Sequence, residues 1–228
     1  MGEPTNPDRL GEMIKIGRRG SVTGAITIHG TQGHVAYPHN ADNPISGIIT
    51  LLNKLLLPAF DEGTADFQAT NLEITSIDVG NPATNVIPSQ AVATFNIRFN
   101  DTWTADTLQA EVARRLEEAS QDTQLRKGKS APIRYTLEWS EGPSHVFLTR
   151  NDKLINALNG SIQAKTGKQA ALSTSGGTSD ARFIKDYCPV VEFGLVGQTM
   201  HMANERVAVQ DLENLTAIYE KFIEDFFA

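Results

Sequence analysis

The chain predicts an α/β protein in which a four-stranded, two-helix sandwich interrupts a second α/β layer, and three features lead there. Residues 22–28 and 90–99 alternate apolar and polar side chains with the two-residue period of half-buried strands. Two amphipathic segments of helical period, near 44–56 and 104–119, fall between the strand-like runs. From Gly142 onward the rhythm becomes helix, short strand, helix, strand, helix, as in part of an α/β layer.

Taken in order, Met1-Gly2-Glu3-Pro4-Thr5 has turn chemistry where a domain would lay down its first strand, and reads as a cut end. From Ser21, the set Val22, Gly24, Ile26 and Ile28 alternates with Thr23, Ala25 and Thr27, so a strand is expected to end near His29. Asn43 can cap a helix whose first residue is Pro44, with Ile45, Ile48, Ile49, Leu52, Leu55 and Leu56 on one stripe. Strand signals follow at 71–79 and 90–99, the latter placing Ala91, Ala93, Phe95, Ile97 and Phe99 on one face. A helix over 104–119, carrying Leu108, Val112 and Leu116, precedes a strand with Ile133, Tyr135, Leu137 and Trp139. The order β-α-β-β-α-β is that of a ferredoxin-like split βαβ sandwich. One sheet face or edge strand then remains available to a partner.

Beyond it, a helix is expected at 151–165, a strand at 169–173, a helix at 178–186, a strand at 189–196 and a helix at 209–226. Two strands are too few to cover those helices. The expected division is an incomplete α/β domain from 1–19 with 141–228, and an inserted sandwich over 20–140.

With 228 residues and 40% hydrophobic content, the chain can bury a core in one or two domains. The apolar stretches at 45–60 and 212–227 are broken by polar residues, so no membrane partner is expected, and no secretory signal opens the chain. A formal charge of −7 with scattered Lys and Arg argues against nucleic acid and favours a small-molecule substrate. The single cysteine, Cys188, can form no internal disulfide and is expected to be a buried filler between Tyr187 and Pro189. A reducing, cytoplasmic setting fits.

Chemistry is expected in two loops. Gly33-His34-Val35-Ala36-Tyr37-Pro38-His39 joins a strand to a helix, where an imidazole can be held at a fixed distance from a substrate. Thr199-Met200-His201-Met202 follows the apolar run 190–196, and strand ends feeding loops are favoured sites in α/β sheets. The bland alternative for His34 is a polar turn residue exposed to water. His39, His29 and His145 are read as surface or core-edge residues.

At this point the motifs carry a resemblance. Gly2-Glu3-Pro4-Thr5, Gly17-Arg18-Arg19-Gly20-Ser21, the Gly33–His39 loop, Asn85-Val86-Ile87-Pro88, Phe95-Asn96-Ile97-Arg98-Phe99, Ser175-Gly176-Gly177-Thr178-Ser179-Asp180 and Met200-His201 run along the whole chain. In that order they resemble the bacterial succinyl-diaminopimelate desuccinylase family, within the di-zinc aminoacylase and carboxypeptidase G2-like metallohydrolases. The resemblance implies hydrolysis of N-succinyl-L,L-diaminopimelate to succinate and L,L-diaminopimelate, on the route to lysine and peptidoglycan precursors. It implies two zinc ions, with cobalt as a substitute, sharing a hydroxide, and makes Glu3 and His201 one ligand each. It also implies a bacterial cytoplasmic homodimer joined through the sandwich, or lid, domain. His34 would enter the partner's active site and donate to the tetrahedral oxyanion.

For a substrate with three carboxylates the resemblance puts Arg18, Arg98 and Arg182 in positions to supply guanidinium forks, the alternative for each being a solvated surface role. Ser21, Tyr37, Asn85 and Thr178 become hydrogen-bond donors. Gly177, after Gly176, lets backbone amides approach an anion before a helix starting near Thr178, although a glycine pair is equally a tight turn. Two departures stand out. The family's paired asparagines appear as Thr84-Asn85, and its remaining metal ligands belong to a half that precedes Glu3. The chain alone is therefore expected to bind little zinc and to be inactive. The alternatives are a deacylase of another N-acyl amino acid, such as N-acetylornithine, and a non-catalytic dimerising fragment.

Overall fold

In chain order the elements are β1 (Met13–Lys15), β2 (Gly17–Arg18), β3 (Gly20–His29), β4 (Gly33–His34), α1 (Pro44–Leu56), β5 (Asn71–Asp78), β6 (Val86–Ile87), β7 (Gln90–Phe99), α2 (Ala105–Ser120), β8 (Tyr135–Trp139), β9 (Phe147–Leu148), α3 (Asp152–Thr166), β10 (Ala171–Ser173), α4 (Ala181–Ile184) and α5 (Val209–Phe227). They come from a computed structural model that describes every residue except Lys127. The chain divides into two units, Gly20–His145, and Met1–Arg19 with Val146–Ala228.

The Gly20–His145 unit is a four-stranded sheet in the order β5-β7-β3-β8, antiparallel throughout. Numbered by its own strands this is 4-1-3-2, the ferredoxin-like order that the β-α-β-β-α-β reading implies. β3 and β7 pair over ten residues, from Gly20 opposite Phe99 to His29 opposite Gln90. On the helix-facing side Val22, Ile26, Ile28, Phe95, Ile97 and Phe99 are buried with Ile48, Leu51 and Leu55 of α1 and Leu108, Val112 and Leu116 of α2. The opposite face is half-exposed and polar, as the alternation requires.

The helix ends follow local rules. Asn43 Oδ1 accepts the Ile45 amide at 3.0 Å before Pro44. Thr104 and Thr107 satisfy each other's amides in a capping box. α3 starts at the Asn151 cap and ends at Gly167, whose φ of 71° suits a residue without a Cβ.

In the other unit β1 pairs in parallel with β10, and β2 antiparallel with β9. Ile14, Ile155, Leu158, Ile162, Val191, Phe193 and Ile218 form its core. Three expectations are corrected here. The run 190–196 is not a continuous strand, because it changes neighbours: Glu192 bridges Lys15 antiparallel, whereas Val196 bridges Asn6 in parallel. The helix expected from Thr178 begins at Ala181 and holds four residues. Cys188 is exposed, in a turn beside Tyr187, rather than buried. No described helix is long and apolar enough to cross a membrane.

Candidate functional site

His34 lies on β4, which pairs with β6 so that Gly33 faces Ile87 and His34 faces Val86. The ladder continues as Val35 N–H donates to Asn85 O at 3.1 Å, which brings Asn85 beside the histidine. Tyr37 N–H donates to His34 O at 2.9 Å, and the two rings lie 5.8 Å apart, tilted by 54°. His39 stands edge-on to Tyr37 at 6.3 Å. All four side chains are exposed.

The imidazole is oriented by the backbone. Ala36 N–H donates to His34 Nδ1 at 3.1 Å. An Nδ1 that accepts carries no proton, so in the neutral ring the proton sits on Nε2, which is then the outward donor.

Ser21 and Arg98 are brought together elsewhere. They are direct partners across β3 and β7, half-buried on the polar face, and Arg98 also faces Asn71 of β5. Asn96 Nδ2 fixes this end by donating to Ser21 Oγ at 3.1 Å and Thr23 Oγ1 at 2.9 Å. Ser21 and His29 are at opposite ends of β3, about 26 Å apart at the rise of an extended strand. The β4–β6 pair adjoins the His29–Gln90 end of β3 and β7, so His34 and Asn85 lie beyond the end of the four-stranded sheet opposite to Ser21 and Arg98.

In the other unit Arg18 departs from its sequence reading. Its Nε donates to Glu192 Oε2 at 2.9 Å, Nη2 donates to the same oxygen, and Nη1 donates to Ser175 O at 3.1 Å. Both side chains are almost wholly buried. The fork expected to receive a substrate carboxylate is thus already taken up inside the protein. Gly176 takes φ of +101°, and a Cβ there would lie 2.6 Å from Arg18 Nη1, so that turn is closed to other residues. Gly177 and Thr178 next to it are exposed. Arg182 lies on α4 with its guanidinium 4.6 Å from the Phe183 ring centre.

Lys15 completes this cluster. Its Nζ donates to Ser175 Oγ at 2.6 Å and Ser173 Oγ at 3.2 Å. Burial, and then the nearby Arg18 charge, push its ammonium down to about 8, against an opposing pull from Glu192.

Glu3 lies on a stretch that runs alongside 191–197, and His201 follows that run in the turn after it. Residues 1–6 run alongside 191–197, through Phe193 N–H to Met1 O at 3.0 Å and the bridge of Asn6 to Val196. Glu3 is half-buried. His201 is exposed in a turn, with φ of 64°. One carboxylate and one imidazole suit zinc chemically, but among the described residues no three of His, Cys, Asp and Glu gather closely enough to hold a metal ion. The donors present therefore do not complete a catalytic zinc site, which takes three protein ligands.

The sequence reading passed over Lys15 and Glu192, and gave Ser175 and Ser179 no role beyond their place in the Ser175–Asp180 motif. The available signal was a charge inside an apolar run, Glu192 within Val190-Val191-Glu192-Phe193 and Lys15 between Ile14 and Ile16. Such charges are rarely buried without a partner.

An α/β layer interrupted by a ferredoxin-like domain with an open edge strand defines the class of this protein. Residues 16–124 match the family model for the M20 peptidase dimerisation domain, which covers the inserted sheet through α2. Solved structures give the same fold over nearly the whole chain. Aminopeptidase PepT from Bacillus cereus superposes with a TM-score of 0.74 at 16% identity, over 99% of this chain and 56% of its own. A tripeptidase from Staphylococcus aureus gives 0.72 at 19%, over 96% and 55%. An M20 family metallo-carboxypeptidase from Sulfolobus solfataricus gives 0.76 at 13%, over 99% and 62%. The chain thus spans little more than half the length of these structures, and the likeness is one of fold.

Proposed function

We propose that the chain is the lid and closing part of a homodimeric N-acyl amino-acid amidohydrolase, with N-succinyl-L,L-diaminopimelate as its substrate. Water adds to the succinyl carbonyl carbon, the C–N bond breaks, and succinate and the free amine leave. The observation that supports this reading best is the Ala36 amide on His34 Nδ1. It leaves an exposed Nε2–H on the short strand β4, paired with β6, suited to a carbonyl oxygen as negative charge develops on it.

The separation of about 26 Å along β3 supports action across a dimer, since the His34 end of the sheet lies far from Ser21 and Arg98 of the same copy. In this reading Gly177, Thr178 and Arg182 hold a substrate carboxylate, Arg98 and Ser21 are separate candidate carboxylate ligands on the Gly20–His145 unit, and Tyr37 and Asn85 flank the incoming histidine. Arg18 keeps its internal pair with Glu192. Glu3 and His201 are proposed as one donor each to a zinc centre, cobalt being a substitute. The described residues do not complete that centre, so no step is assigned to the metal.

The test is succinate release from N-succinyl-L,L-diaminopimelate by the complete polypeptide, with His34→Ala beside it. The variant is expected to lose a factor on the order of 10²–10³ in kcat, the loss typical of one oxyanion donor. An unchanged rate removes the role of His34. Faster cleavage of N-acetylornithine would make the protein a deacylase of another acyl amino acid, and no hydrolysis of either would favour a dimerising module without catalysis.

A further inference from the structure

The loop Ser175-Gly176-Gly177-Thr178-Ser179 has two adjacent glycines at its exposed tip, the composition that leaves a backbone most free to wander. It is nevertheless tied at both ends to buried charges. On one side Lys15 Nζ donates to Ser175 Oγ at 2.6 Å and to Ser173 Oγ at 3.2 Å, and those two hydroxyls are 2.9 Å apart. Ser175 N–H in turn donates to Ser173 Oγ at 3.1 Å. On the other side Ser179 Oγ donates to Glu192 Oε1, while Glu192 Oε2 takes the Arg18 fork. Arg18 Nη1 closes the circuit on Ser175 O at 3.1 Å.

Buried pairs of this kind add little net stability, and in some proteins they fix one arrangement among several. We infer that Lys15 and the Arg18–Glu192–Ser179 chain form a two-sided brace for this loop, making Lys15 and Glu192 positioning residues for a carboxylate bound at Gly177 and Thr178. The carboxylate part rests on the functional reading above. The brace itself does not.

Charge favours an anion there. Arg18 is neutralised by Glu192, so Lys15 is the positive charge left over in the cluster. The groups that face its ammonium are Arg18 from β2, Glu192 from the 190–196 run, and the Ser173 and Ser175 hydroxyls at the end of β10. Loss of the Lys15 proton as pH rises through about 8 removes that charge and loosens the hold on Ser175.

The test uses this chain, with succinate as the probe. Amide hydrogen exchange is followed over 174–179, and succinate binding is read from amide shifts of Gly176, Gly177 and Thr178 between pH 6.5 and 9.5, for wild type, Lys15→Met and Ser179→Ala. Both variants are expected to speed loop exchange about tenfold or more, with β3 and β7 unchanged. Succinate affinity of the wild type is expected to fall above pH 8, and that of Lys15→Met to be weaker and flat. If Lys15→Met fails to fold, Ser179→Ala and the wild-type pH profile still decide the matter.

Loop exchange unmoved by Ser179→Ala overturns the brace. Succinate affinity that is absent in wild type, or independent of pH there, overturns the positioning role. Neither readout needs hydrolysis, so an inert protein with a braced loop would sink only the proposed activity.

Discussion

Asp42 and Arg126 meet in a two-pronged ion pair, Nη2 to Oδ2 at 2.7 Å and Nε to Oδ1 at 3.2 Å, with the guanidinium side chain almost wholly buried. Arg126 Nη1 also donates to Ala131 O at 2.7 Å. The pair matters because Asp42 closes the base of the histidine loop. Thr31 N–H donates to Asp42 O at 2.8 Å and Asp42 N–H to Thr31 O at 2.9 Å. That closure ties the two ends of the loop together, while the β4–β6 pairing holds His34 within it.

Removing Arg126 strands a carboxylate that is only 17% exposed. Arg126→Ala is therefore expected to cost about 3 kcal/mol, the low end for breaking a buried pair, because some solvent reaches Asp42. Urea unfolding of the single and double variants with Asp42→Ala checks it. A double-mutant cycle without coupling would show that the two residues act independently.

Glu111 predicts how the protein meets acid. Hydrogen bonds from Arg114, followed by those from Arg115, outweigh desolvation and hold its carboxyl at about 2, below the ordinary 4.5. Its contribution is present above pH 4.5 and is lost as pH falls through about 2, since the unfolded chain takes up the proton first. Glu111→Gln is expected to flatten this part of the acid unfolding curve. Identical acid branches for the two proteins would remove Glu111 from the account.

The open side of the sheet predicts assembly. Among the described residues β5 has β7 as its one neighbouring strand, and it carries Ile77, 57% exposed. α1 packs against β5, β7 and β3 and leaves Ile49 and Leu56 each 52% exposed. An uncovered edge strand with apolar neighbours is a pairing surface. Ile77→Lys is expected to convert a dimer to monomer in light scattering at micromolar concentration while the circular dichroism spectrum stays the same. A dimer that survives the change would place the interface elsewhere.

The sandwich was legible because its rules are local. The alternation of Val22 to Ile28 and Ala91 to Phe99, the Asn43 cap and the Leu108–Val112–Leu116 stripe each act within a few residues, and β3, β7, α1 and α2 form where those signals lie. The other unit was harder to read. Residues 190–196 exchange neighbours part-way, from Lys15 to Asn6, and no periodicity within the run records which backbone it will meet. The same holds for the site. Motif resemblance pointed at His34 and Asn85, which the β4–β6 pairing brings together. It gave no sign that Arg18 would be spent on Glu192, because that bond joins residues 174 apart.

The central claim is that His34 serves the site of a partner copy. The measurement that tests it most directly is subunit mixing of His34→Ala with His201→Ala in the complete polypeptide, each inactive alone. If His34 acts across the dimer, the mixed dimer regains one intact site of two, and an equal mixture recovers about one quarter of wild-type succinate release. If His34 acts within its own copy, every site in the mixture lacks one of the two histidines. A mixture with no activity above the separate variants would contradict the claim.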